Sequence, residues 1–240
     1  MTTTIGQIVR GDAAVFPPYL YDAYRATILR APHLPLVEVP LAIVERKGPS
    51  AQTFPVQPID ADLTRNAGTG GEAIGQRIIL SGRVLDEGGN GVPDAVVEIW
   101  QANAAGRYIH KNDQWPGPID PNFLGIGRCR TEFDGGYRFL TVRPGAYPWR
   151  NHSNAWRPAH VHFSVLGRTW SERLITQMYF EGDPMCALDP IFNAVPEAAR
   201  SRLVAAYAHH VTEPEWALGF RWDIVINGSA ATAFEERRTA

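Results

Sequence analysis

From Gln76 onward the chain is a series of short aliphatic and aromatic runs separated by glycine, asparagine and aspartate. That spacing suits strands and tight turns and leaves room for few helices. Residues 77–85 (RIILSGRVL) read as a strand, Asp86-Glu87-Gly88-Gly89-Asn90-Gly91 as a turn, and residues 95–100 (AVVEIW) as the strand returning from it. Asp134-Gly135-Gly136 lies between residues 129–133 and 137–142 in the pattern of a second hairpin. Further strands are expected at 159–166, 174–180 and 220–226. About seven strands at such intervals predict an all-β chain with an antiparallel β-sandwich core. The exception is residues 196–209, where Pro196 at the start and Leu203, Val204 and Tyr207 on one face predict a short helix.

Before residue 75 the character differs. Pro17, Pro18, Pro32, Pro35, Pro40, Pro49, Pro55 and Pro58 interrupt it too often for long helices or central strands. One short helix is expected within residues 19–29. The segment is richer in aromatic and aliphatic residues than a solvated proline-rich tail. Residues 1–74 are therefore expected to form an arm on the core or on a partner subunit, and residues 75–240 the β-sandwich catalytic domain. A net charge of -2 with scattered basic residues gives no footprint for nucleic acid or an anionic membrane. No apolar run is long enough to span a bilayer, and the start, MTTTIG, lacks the charged and apolar regions of a secretory signal. Cys129 and Cys186 are too few for a disulfide framework, which fits a cytoplasmic location.

The chemistry centres on residues 158–165 (PAHVHFSV). In a strand, residues two apart share a face, so His160 and His162 leave side by side while Val161, Phe163 and Val165 point to the core. Paired imidazoles are common metal ligands. His33, His110, His152, His209 and His210 have no comparable spacing, and His209-His210 is accounted for by the end of the expected helix. A zinc site or a facial-triad iron site would need a third histidine or a carboxylate. No Asp or Glu lies between Trp149 and Phe163; Glu98, Asp134 and Asp183 are the distant candidates. Asp134 is better explained by its turn and Asp183, before Pro184, by a loop. Tyr108 and Tyr147 would add two phenols, but a phenol titrates near ~10 and ligates only a strong Lewis acid such as Fe(III). On residue type alone they read as buried aromatics, the usual fate of tyrosine.

Four segments, EIWQANAAGRY at 98–108, RPGAYPWR at 143–150, WRPAHVHF at 156–163 and LITQMYFEGDP at 174–184, resemble the intradiol ring-cleavage dioxygenases. The similarity runs in order from about residue 17 to residue 236. The resemblance implies a β-sandwich holding mononuclear non-haem Fe(III) on Tyr108, Tyr147, His160 and His162, with a solvent hydroxide as fifth ligand. It implies catalytic roles for Tyr147 as base, for Arg157 beside the ring, and for Gln177 near the arginine and the oxygen path. Tyr24, Trp149, Arg157 and Ile191 would bind substrate, Tyr24 facing a ring carboxylate. Within the family the segments are most similar to the iron-bearing chain of members that convert protocatechuate and O2 to 3-carboxy-cis,cis-muconate in aromatic catabolism, the β-ketoadipate pathway. Such a chain works with a homologous, iron-free α subunit.

Two departures stand out: Ile109 replaces an expected basic residue, and Phe123-Leu124-Gly125 replaces a more glycine-rich form. Both bear on substrate preference among catechol, hydroxyquinol, gallate and protocatechuate. From other classes, the turn pattern also suits a transthyretin-like binding module, and the histidine pair a zinc hydrolase.

Overall fold

The computed structural model describes residues 15–35, 55–153, 155–167 and 173–233. The beginning of the expected arm (1–14) and its stretch 36–54 lie outside the described residues. The strands are β1 (Arg77–Leu85), β2 (Val96–Trp100), β3 (Ile126–Arg130), β4 (Gly136–Val142), β5 (Tyr147–Pro148), β6 (Trp156–Arg157), β7 (His160–Leu166), β8 (Arg173–Phe180), β9 (Val204–Tyr207), β10 (Leu218–Arg221) and β11 (Ile224–Val225). Three short helices accompany them: α1 (Ala26–Arg30), α2 (Pro190–Ala194) and α3 (Glu197–Arg200). No helix among the described residues is long and apolar enough to cross a membrane.

Nine strands form one sheet in the order β11-β1-β10-β9-β8-β7-β2-β3, with β4 on β1; β5 and β6 make a separate two-stranded ribbon. The sheet is mixed, which corrects the expected antiparallel arrangement. β1 runs parallel to β10 and β11, and β8 runs parallel to β9. Side chains from both ends of this path share one core: Phe163 of β7 lies 4.8 Å from Trp222 and 5.9 Å from Tyr137 of β4, ring centre to ring centre. The Tyr137 hydroxyl donates to the Trp222 carbonyl at 2.6 Å. Removing the fully buried Phe163 ring (Phe163→Ala) should destabilise the fold by about 3–5 kcal/mol. A lower denaturation midpoint at unchanged slope would register this.

Neither expected hairpin extends into paired strands; the first closes only at the Leu85↔Gly91 bridge, with Val92 N–H donating to the Val84 carbonyl at 2.9 Å. The turns are present, with Asp86 Oδ1 accepting from the Gly88 and Asn90 amides and Glu132 N–H bonding Gly136 O. The strands beside them find other neighbours: β1 pairs β4 and β10, while β2 pairs β3 and β7. Pro93, then Asp94 at φ 58, end any return along β1 and redirect the chain before β2. The 220–226 strand is split at Trp222 and Asp223. There the Trp222 carbonyl sits 1.7 Å from where a Gly82 Cβ would be, so only glycine fits, and Asp223 Oδ1 accepts from Arg83 N–H in place of a ladder bond.

The expected 196–209 helix is also corrected. It stops at Arg200, passes through a 3-10 turn at Ser201–Leu203 and becomes β9, paired parallel to β8 at Tyr179↔Val204. Leu203 is buried in a second apolar cluster with Val15, Tyr179, Val195, Ala231 and Ala233, whereas Tyr207 is half exposed. His209 and His210 sit in a separate 3-10 turn.

Candidate active site

Strand β7 does what its alternation predicts. Val161, Phe163 and Val165 enter the main core, leaving His160 and His162 on the opposite face. Directly paired antiparallel residues share a face, so the register His160↔Tyr179 and His162↔Gln177 brings Gln177 and Tyr179 to the histidines. The register Trp100↔His162 brings in β2; the indole stacks on the imidazole at 4.8 Å and 6°. On the small ribbon, Tyr147 opposes Arg157.

Tyr108 arrives on a loop built by side-chain hydrogen bonds. Asn103 Oδ1 accepts from the Ala105 and Arg107 amides, and Asp113 Oδ2 from Tyr108 N–H at 2.8 Å. Gly106, at φ 76, lets this loop press against the Tyr147 segment, since a Cβ there would lie 2.3 Å from the Ala146 carbonyl.

The four proposed ligands close a ring of contacts. Centroid separations are 5.4 Å for Tyr108–Tyr147, 5.4 Å for Tyr147–His160, 4.9 Å for His160–His162 and 6.5 Å for Tyr108–His162. His160 is buried, and its Nδ1 lies 2.7 Å from the Pro158 carbonyl. Nδ1 must therefore carry the hydrogen, leaving the Nε2 lone pair exposed to the Tyr147 hydroxyl at 3.3 Å and Arg157 Nη1 at 3.2 Å. Burial, reinforced by the Arg157 charge and His162, holds the His160 pKa well below the ordinary imidazole value. Burial pushes the Tyr147 phenol up against the opposing pull of Arg157 and Tyr108.

Arg157 is 2% exposed and anchored on three sides. Asp189 takes Nε at 3.3 Å and Nη2 at 2.7 Å; Nη2 also donates to Gln177 Oε1 at 2.6 Å and to the Tyr179 hydroxyl at 3.0 Å. Its Cζ lies 5.2 Å over the Trp149 ring, and Trp149 meets Tyr24 at 5.4 Å. Asn151 holds that corner by accepting from Ala26 N–H at 2.8 Å. Ile191 is buried on α2, two residues after Asp189. A cavity of about 990 Å3 opens over Trp100, Tyr108, Tyr147, Trp149 and His162, large enough for a small aromatic acid.

The other carboxylates are occupied elsewhere. Glu98 pairs with Arg128 at 3.1 Å, Asp134 accepts from the Gly136 amide in its turn, and Asp183 caps the 3-10 helix Pro184–Leu188. Among the described residues no group of three or more His, Cys, Asp or Glu forms a metal cluster, so a polydentate site here requires the tyrosines. Sequence reasoning missed Asp189 and Tyr179. Tyr179 was recoverable from its spacing, two residues after Gln177 on one strand face.

A family model described as "Dioxygenase" matches residues 47–228, and one described as "Protocatechuate 3,4-dioxygenase beta subunit N terminal" matches residues 9–41. The chain is 52% identical to the protocatechuate 3,4-dioxygenase beta chain of Burkholderia cepacia, over 91% of this chain and 93% of that one. It is 31% identical to the alpha chain from the same organism, over 68% and 78%. The fold is shared with 3-chlorocatechol 1,2-dioxygenase of Rhodococcus opacus, at a TM-score of 0.53 and 24% identity, covering 71% of this chain and 65% of that structure. With a family model spanning most of its length and a relative that alike from end to end, the chain belongs to the intradiol ring-cleavage dioxygenases.

Proposed function

We propose that this chain is the iron-holding β chain of an enzyme that opens protocatechuate with O2 between its two hydroxyl-bearing carbons, giving 3-carboxy-cis,cis-muconate. The observation that carries the proposal is the closed ring of Tyr108, Tyr147, His160 and His162. The 52% identity to a protocatechuate 3,4-dioxygenase beta chain supports the substrate. A homologous α chain as partner is supported by the similarity to alpha chains, residues 1–74 then forming an arm on the core or on that partner. A cytoplasmic location is supported by two free thiols, Cys129 and Cys186.

The donor set fits Fe(III). Two imidazoles and two phenols offer borderline nitrogen and hard oxygen, and only a strongly acidic cation can hold a buried phenol such as Tyr147 as phenolate. Tyr108, Tyr147, His160 and His162 would hold the ion. Bound there, it would supply the Lewis acidity that makes a catechol dianion reactive toward O2. A zinc hydrolase or a transthyretin-like binding module gives no reason for two phenols beside two imidazoles.

The chain's own residues do the rest. Tyr147 Oη would take up one catechol proton, and a solvent hydroxide the other. Arg157, with its Nη1 edge toward the histidines, stabilises negative charge developing on the ring. Gln177, whose Oε1 accepts from Arg157 and Tyr179, supports one edge of the guanidinium; its buried Nε2 has no hydrogen-bond partner among the described residues and remains a donor. Trp149 and Ile191 shape an apolar wall that excludes water, and Tyr24 meets the ring carboxylate.

The test is oxygen uptake by the chain co-expressed with a homologous α chain, across protocatechuate, catechol, hydroxyquinol and gallate. We expect protocatechuate to be fastest and the iron-loaded protein to be burgundy from phenolate-to-Fe(III) absorption. Faster turnover of another catechol would overturn the substrate, and a colourless preparation with full iron would overturn the tyrosine ligands.

A further inference from the structure

We infer that Asp189 is a positioning residue of this site, one carboxylate that sets both Arg157 and the start of helix α2. The inference rests on the proposed function for its meaning in turnover. Its geometric part stands independently.

Asp189 is fully buried, and so is its partner Arg157. A buried aspartate needs hydrogen-bond partners on its charge, and this one uses both oxygens. Oδ1 accepts from Arg157 Nε at 3.3 Å and from the Ile191 amide at 3.2 Å; Oδ2 accepts from Arg157 Nη2 at 2.7 Å. The two-point contact fixes the plane of the guanidinium as a single hydrogen bond could not. With Nε and Nη2 committed to Asp189, Gln177 and Tyr179, Nη1 alone is left facing His160. The same carboxylate caps α2, so the backbone that carries Ile191 is registered to the arginine. Pro190 follows at the first helical position and presets the chain direction there. Asp189 therefore acts through other residues.

The consequence is specific. Asp189→Asn keeps the shape but presents N–H to N–H, so the guanidinium must rotate. A misplacement of about 1 Å in a catalytic group costs on the order of 10²-fold in turnover. Asp189 hydrogen-bonds Arg157 and the Ile191 amide rather than His160 or Tyr147, so iron content should be unchanged.

The experiment uses the full αβ protein and three readouts. In Asp189→Asn, kcat for protocatechuate should fall about 100-fold while KM moves less than about threefold. Placed on Arg157→Gln, Asp189→Asn should add less than a further twofold or so, because its effect runs through the arginine. The Nε–H resonance of Arg157, read by ¹⁵N NMR in metal-free protein, should be slow to exchange in the parent and fast in the variant. A kcat within threefold of the parent, or losses that multiply in the double variant, would overturn the inference. If Asp189→Asn does not fold, Asp189→Glu carries the same test: lowered kcat with iron retained supports it, unchanged kcat overturns it. Protected Arg157 in a parent that neither binds iron nor consumes O2 would uphold the positioning and reject the proposed function instead.

Discussion

Replacing His160 with alanine should abolish iron binding, colour and oxygen uptake together. His160 is the most constrained of the four proposed ligands: 1% exposed, its Nδ1–H given to the Pro158 carbonyl and its Nε2 turned to Tyr147. Orientation by an outer carbonyl is what makes an imidazole a good ligand, and loss of such an outer partner alone costs a metal site roughly 10–100-fold. Loss of the ligand itself should cost more. The fold should survive, because the core side of β7 is Val161, Phe163 and Val165, which the substitution does not touch. Iron per chain, the visible spectrum and a thermal melt on one sample check the expectation. A variant that keeps stoichiometric iron and its colour would remove His160 from the ligand set.

The two halves of this site were unequally legible in the sequence. The histidine pair and its core-facing neighbours follow from strand alternation, and β7 realises it residue for residue. The boundaries of β1 were equally plain, because nine residues of suitable composition run between a glycine and a turn. Strand partners were not legible. Asp134-Gly135-Gly136 encodes a tight turn, but whether its flanking strands pair depends on the shared core, and here β3 joins β2 while β4 joins β1. The parallel neighbours of β1 come from residues 218–221 and 224–225, and no local signal links segments so far apart. Leu203, Val204 and Tyr207 fit a helical stripe on paper. The unpaired edge of β8 drew Val204 and Ala205 into a strand instead.

Asp189 shows a different limit. Read locally, Asp189-Pro190 is a helix cap, and it is one. Its second role, neutralising a buried arginine 32 residues away, exists only after folding. The sequence carries a general hint even so: a buried arginine needs a carboxylate. Nothing local in the sequence tells Asp189 from any other helix-capping aspartate.

Tyr147→Phe should separate holding iron from binding substrate. Tyr147 sits on a ribbon of two residues per strand, whereas His160 and His162 belong to a seven-residue strand paired on both sides. The fold can thus release it at less cost than either histidine. Burial also raises its pKa, so once parted from a cation its oxygen takes a proton readily. Those two properties suit a ligand that leaves and carries off a catechol proton. With phenylalanine, the remaining Tyr108, His160 and His162 should retain iron, and the Tyr108 absorption should persist at altered wavelength. General acid–base groups contribute typically about 10²–10⁴-fold, so the association phase with protocatechuate in stopped flow should slow by at least ~100-fold. Product release should slow with it, since the same oxygen must return its proton when the site resets. Binding transients indistinguishable from the parent would show that Tyr147 is no base, and loss of iron would show that it is a structural ligand like His160.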